Sequence, residues 1–171
     1  MSVGTERLDF AEFYRTFKDE CLFTVLVSVG DQDTAQELVA EAFARAWACW
    51  EKVAGHPAPQ AWVVRTALNV RISRWRRHRR EVAVADPGMI SEPPLASAAS
   101  GRPDPVVMAA LMRLPARQRQ VVALRLFLDL DTARAAQVLG IAPGTVQAHL
   151  GRAIAALRAD LAPVLQKESS S

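Results

Sequence analysis

Between Trp62 and Arg80 the chain carries seven arginines and no acid: Arg65, Arg71, Arg74, Arg76, Arg77, Arg79 and Arg80, interleaved with Trp62, Asn69, Ser73 and Trp75. A guanidinium pairs with phosphate oxygens in a planar fork, and its face stacks on bases. Aromatic side chains offer unpaired bases a stacking surface that tolerates any sequence. The chemistry of this block is therefore the capture of a polyanion with exposed bases. A plain solvated helix end is the alternative, and the absence of any acid argues against it.

A second stretch, Thr132 to Leu150, reads as a helix-turn-helix: Thr-Ala-Arg-Ala-Ala-Gln-Val-Leu-Gly-Ile-Ala-Pro-Gly-Thr-Val-Gln-Ala-His-Leu. Such a unit joins two steeply crossed helices through a short turn, often at glycine. Ala136 is small enough for a close crossing, and Gly140 tolerates the positive φ of the turn. Val146 and Leu150 are inward anchors, and Leu139 and Ile141 fill the wedge. Pro143 suits a first helical turn. The N-terminal end of the second helix would then enter a major groove. Gly144, Thr145, Gln147, Ala148 and His149 would lie near base edges, with Arg152 on a phosphate. Glutamine pairs with adenine edges, and methyl groups touch thymine.

These residues need helices to carry them, and the remaining sequence supplies them. Alanine, leucine, arginine, glutamate and glutamine dominate, and strand-like alternation is scarce, so the chain reads as all-α. Phe10, Phe13, Tyr14, Phe17, Cys21 and Leu22 recur at three- and four-residue steps and predict a helix from Asp9 to Val29, stopped by Gly30. Asp33, with Gln36 three residues on, predicts the cap of a second helix to Trp50, with Leu38, Val39, Ala42, Phe43, Ala46, Trp47 and Trp50 as its apolar stripe. A third helix starts near Pro59 and runs through the arginines. Residues 81–105 hold five prolines and two glycines without helical period, a linker composition. Helices at 106–114, 115–128, 132–139 and 143–162 follow, with a frayed tail from Gln166. Two small helical domains, 1–80 and 106–165, thus flank a flexible linker at 81–105.

The chain has 171 residues, half of them apolar, and a net charge of +3 that conceals strong segregation. Residues 1–64 sum to −5, 65–80 to +7, 81–105 to −3 and 106–171 to +4. An acidic half beside a dense basic block suggests a polyanion on one surface and another partner elsewhere. No apolar run is long enough to span a membrane, and the N-terminus lacks the apolar core of a signal peptide, so a cytoplasmic protein is expected. Cys21 and Cys49 have no CxxC partner and no nearby histidine. They read as buried free thiols, with no metal site. His56, His78 and His149 are scattered. No phosphate-binding glycine loop, HExxH or GxSxG occurs, so neither an enzyme nor a cofactor is expected.

Taken together, four segments resemble the extracytoplasmic-function group of the sigma-70 family. They are Gly30 to Trp47, Pro59 to Asn69 with the arginine run, Leu114 to Arg125, and the helix-turn-helix through Arg158. The resemblance implies a sigma factor that binds core RNA polymerase and directs transcription initiation at promoter DNA. It implies polymerase contacts at Glu37, Leu38, Glu41 and Phe43. It places the −10 element against Trp62, Arg65, Asn69, Ser73, Arg74, Arg76 and Arg77. It places the −35 element against Gly144, Thr145, Gln147, Ala148, His149 and Arg152. It further implies an anti-sigma protein as a partner, and a monomer when free. Some positions depart from the family pattern. Gln147-Ala148-His149 stands where the family often has Lys-Ser-Arg, Asp131 and Arg134 where it usually has Ser and Glu, and Ser73 where it often has Asp or Asn. The competing reading is a stand-alone regulator with a C-terminal helix-turn-helix resembling LuxR-like proteins, binding duplex DNA without polymerase. It leaves residues 31–80 unexplained.

Overall fold

The computed structural model describes residues 9–82 and 104–168. Most of the expected linker and the last three residues lie outside this range. The described residues form helices α1 (Phe10–Val29), α2 (Gln32–Ala48), α3 (Trp50–Ala54), α4 (Pro59–Val82), α5 (Pro105–Arg113), α6 (Ala116–Val122), a π-helical turn (Ala123–Phe127), α7 (Thr132–Leu139) and α8 (Pro143–Glu168), with no strand among them. The all-α reading holds.

Gly30 ends α1 at φ 82°, its amide donating to the Leu26 carbonyl at 2.7 Å, and turns the chain so that α2 packs back on α1. The α2 cap is Asp31, not Asp33: the Asp31 carboxylate accepts from the Thr34 amide at 2.8 Å. Both aspartates precede the apolar stripe, and the one whose backbone is extended takes the cap. The helix also stops earlier than expected. The chain breaks at Cys49 and resumes as α3.

Phe13, Leu38, Val53, Val63 and Val64 are wholly buried where α1 to α4 meet. The rings of Phe10, Phe13, Phe43 and Trp50 stack around one another at 5.0–6.5 Å. Trp47, expected in the buried stripe, is 65% exposed and only flanks this cluster. Cys49 is half-buried rather than buried, and Cys21 is fully buried.

In the second half Asp104 caps α5 by accepting from the Val106 amide at 2.7 Å. The helix expected over 115–128 is two pieces, with α6 widening into the π-helical turn after Val122. α8 runs through Pro163 to Glu168, well past the expected end.

The two halves do not keep separate cores. Val27 of α1 shares a cluster with Met108, Leu111, Leu114, Val122 and Ala153, and the Phe23 and Phe127 rings meet edge to face at 4.7 Å. α4 also packs on α7.

Candidate nucleic-acid interface

α4 emerges from the first core like a handle. Its early residues Val63, Val64, Ala67 and Val70 are buried, whereas every residue from Arg71 to Glu81 is exposed. Arg65, Asn69, Ser73 and Arg76 or Arg77 are spaced by three or four, so they share one helix face, and all are exposed. Trp62 is half-buried against the core and supports that face from beneath.

Arg74 points elsewhere. Its guanidinium reaches Glu37 at 3.3 Å and Glu41 at 2.5 Å on α2, and Glu41 also pairs with Arg45 at 2.7 Å. The expected polymerase-facing acids and an expected DNA-facing arginine are thus ion-paired. Leu38 and Phe43 are 0% and 3% exposed. They form the floor beneath the acidic face of α2 and present no surface themselves.

Sequence reasoning passed over Trp75 as a specific site. It is 55% exposed, the Arg79 guanidinium lies 4.7 Å from its ring centroid, and a shallow open depression lies among Trp75, Arg76, Arg79 and Arg80. The i, i+4 spacing of the two residues was the available signal.

The helix-turn-helix forms as expected. Asp131 caps α7 by accepting from the Arg134 amide at 2.8 Å, and the Arg134 side chain returns to the same carboxylate at 3.5 Å. This pair replaces the Ser and Glu expected at these positions with a cap of reversed side-chain charge. Gly140 sits at φ 65°, and the Ile141 amide donates to the Ala136 carbonyl at 3.1 Å, closing the turn. Val146 and Ala153 are wholly buried, and Ala136 is nearly so.

Gly144, Thr145, Gln147, Ala148 and Arg152 are exposed along the leading edge of α8. His149 is set back from them. It is half-buried, and its Nδ1 is enclosed without a hydrogen-bond partner.

Arg119 is a further cation that sequence reasoning did not single out. It donates to the Met112 and Leu114 carbonyls at 3.4 and 3.3 Å. Burial, and then the like charge of Arg71, pull its basicity below the ordinary value.

The remaining candidate groups are structural. The His56 Nδ1 accepts from the Ala58 amide at 3.1 Å, closing the turn before α4. Burial, and then the neighbouring Glu20, hold the Cys21 thiol far above its usual range, in its neutral form. Among the described residues no three His, Cys, Asp or Glu side chains converge on a metal position, and no helix is long and apolar enough to cross a membrane.

Two family models match the chain: sigma-70 region 2 over residues 13–81 and sigma-70 region 4 over residues 106–157. The chain is 33% identical over 157 residues to the RNA polymerase sigma-E factor of Streptomyces coelicolor, covering 91% of this chain and 88% of the relative. It is 33% identical over 136 residues to the ECF RNA polymerase sigma factor SigL of Mycobacterium tuberculosis, covering 77% of each. Its structure is similar to that of the sigma factor RpoE from Bartonella quintana, solved in complex with the anti-sigma factor NepR. There the TM-score is 0.76 and the identity 25%, over 90% of this chain and 96% of that one. The fold also matches CnrH, solved with the cytosolic domain of CnrY, at a TM-score of 0.57 and 21% identity over 90% of this chain and 88% of that one.

Proposed function

This chain belongs to the extracytoplasmic-function group of the sigma-70 family of RNA polymerase sigma factors, and we propose from that premise how its surfaces divide the work of initiation. Residues 1–80 form the unit that docks on core polymerase and handles the −10 element. Residues 81–105 connect it to the −35 unit at 106–165. The observation that carries this division is the placement of an acid-free arginine face on α4 and a properly turned helix-turn-helix on α7 and α8, each inside its matching family region.

The acidic face of α2, with Glu37 and Glu41 over the floor of Leu38 and Phe43, is the proposed polymerase contact. Arg65, Asn69, Ser73, Arg76 and Arg77 face the −10 strand, with Trp62 beneath them and Arg74 at the α2 edge. Extruding a base from the stack costs a few kcal/mol. Arginine–phosphate contacts and stacking must offset that cost. Gly144, Thr145, Gln147, Ala148 and Arg152 face the −35 duplex, with His149 behind them. The protein acts by binding, without catalysis or cofactor of its own, in the cytoplasm where polymerase works, and as a monomer when free. An anti-sigma protein is the proposed regulatory partner, a reading supported by the RpoE relative solved with one. It fails if no neighbouring gene product co-purifies with the chain or inhibits it.

The test is transcription from a genomic promoter pool by sigma-free core polymerase plus the purified chain, with sequencing of the 5′ ends. New starts sharing a −10/−35 pair are expected. A chain that neither binds core nor yields transcripts overturns the reading in favour of a stand-alone duplex-DNA regulator.

A further inference from the structure

The two halves of the chain meet across a surface that belongs to neither reading site. On one side is the C-terminal half of α1. Val27 is fully buried among α5, α6 and α8 residues, and Phe23 packs edge to face on Phe127 of the π-helical turn. Beside them the larger core continues without interruption from Val25 and Leu68 to Leu124, Leu128 and Ala136. Gly30 belongs to the same seam: a side-chain carbon there would stand 3.4 Å from the Met112 sulfur.

The charges of the seam oppose this contact. Glu20 of α1 faces Asp129 of the loop before α7, and Arg71 of α4 faces Arg119 of α6. One like-charge pair is acidic and the other basic. Burial and then Asp129 hold the Glu20 carboxyl above its ordinary value. Apolar contact therefore closes the seam while both charged pairs push it open.

We propose that the free chain is latched on itself through Phe23 and Val27, and that promoter engagement requires this latch to open. The consequence for promoters rests on the sigma-factor reading above. Elements centred about 25 base pairs apart lie about 85 Å apart along duplex DNA, at about 3.4 Å per pair. Directly packed helices such as α4 and α7 have axes about 8–10 Å apart. A compact chain of this length has a radius of gyration of about 16 Å. The latched form thus brings both reading helices together where the DNA needs them far apart. Residues 83–103 could bridge about 70 Å at full extension, so opening requires no unfolding of either half.

The experiment is small-angle X-ray scattering on the full chain, together with titration of each variant into core polymerase in the transcription assay. The wild-type chain is expected to scatter as a compact particle with a radius of gyration of about 16 Å. Phe23→Ser, and independently Phe127→Ser on the opposite face, should raise that radius while helix content by circular dichroism stays the same. Both should lower several-fold the chain concentration that half-saturates transcription. Glu20→Gln, which relieves a repulsion, should raise that concentration. An extended wild-type particle overturns the latch, as do Phe23→Ser and Phe127→Ser chains that remain folded and compact. The scattering uses no polymerase, so failure of the latch is distinct from failure of the sigma reading, which shows as absent transcripts with the wild-type chain.

Discussion

Arg74 stands between two surfaces, and its surroundings decide what its loss should do. Its ion pairs with Glu37 and Glu41 join exposed groups, and exposed pairs contribute about 0.2–1 kcal/mol each. Arg74→Ala should therefore shift the melting temperature little, while DNA opening in the polymerase complex, read by permanganate reactivity of unpaired thymines, should fall much further when Arg76→Ala is added. An equal loss in stability and opening would make Arg74 a strut between α2 and α4 and nothing more. Gln147 is exposed and paired to nothing shown. Gln147→Ala should relax one −35 base position, worth about 1–3 kcal/mol of discrimination, and leave core binding unchanged in a competition assay. At this scale the exposed stripes were readable from residue type and spacing. Leu38 and Phe43 were not, because α2 is apolar on more than one side and only its packing on α1 and α4 says which side is inward. The set-back position of His149 was missed for the same reason: it follows from where α8 seats on its neighbours, not from its place in the motif.

The helices themselves were largely legible, and their errors fall where two local signals compete. α7 was read to its ends because Asp131 and Gly140 are unambiguous stops. α2 was started two residues late because Asp31 and Asp33 both suit a cap. Asp31→Ala should cost about 0.5–2 kcal/mol in urea unfolding and Asp33→Ala much less. Hydrogen bonds from Thr34 hold the Asp31 carboxyl below its ordinary value. The cap's contribution is thus present above the ordinary carboxylate pKa and is lost as pH falls through the lowered one. The π-helical turn and the continuation of α8 through Pro163 had no readable signal, since both depend on what lies against them. The Asp131–Arg134 pair makes a sharper case. Arg134→Glu alone sets two carboxylates together in the first turn and should destabilise by about 0.5 kcal/mol, the scale of a neighbouring like-charge pair. Adding Asp131→Ser should recover most of that, because serine and glutamate form the reciprocal cap. If the double variant is no better than the single one, the two positions do not act as a unit.

The whole molecule is where sequence reading stopped. Each half showed its own helices and its own motif, but the seam between them pairs residues about a hundred positions apart, and nothing local announces it. Phe23 and Val27 looked like ordinary core positions, as they are, but part of the core they enter belongs to the other half. The seam's charges then give the molecule a dependence on conditions that neither half would have alone. Glu20 has a raised pKa in the closed form, so the closed form binds more protons than the open one. That contribution to closure is fully present below the ordinary carboxylate pKa and is lost as pH rises through the raised value. Mild acid should therefore compact the free chain, and Glu20→Gln should flatten the pH dependence. Salt should act in the same direction, because screening weakens both like-charge pairs, although their partial burial makes it less effective than at a free surface. The arginine face of α4 responds to salt in the opposite functional sense, since phosphate contacts release counterions and weaken steeply as salt rises. Raising salt should therefore depress initiation through two routes that can be separated. Scattering of the free chain reports the latch, and the salt slope of DNA binding by the assembled polymerase reports the phosphate contacts. In Phe23→Ser the first route should vanish and the second persist, so its initiation should fall less steeply with salt than that of the wild-type chain. Equal slopes for the two proteins would leave the phosphate contacts as the whole cause.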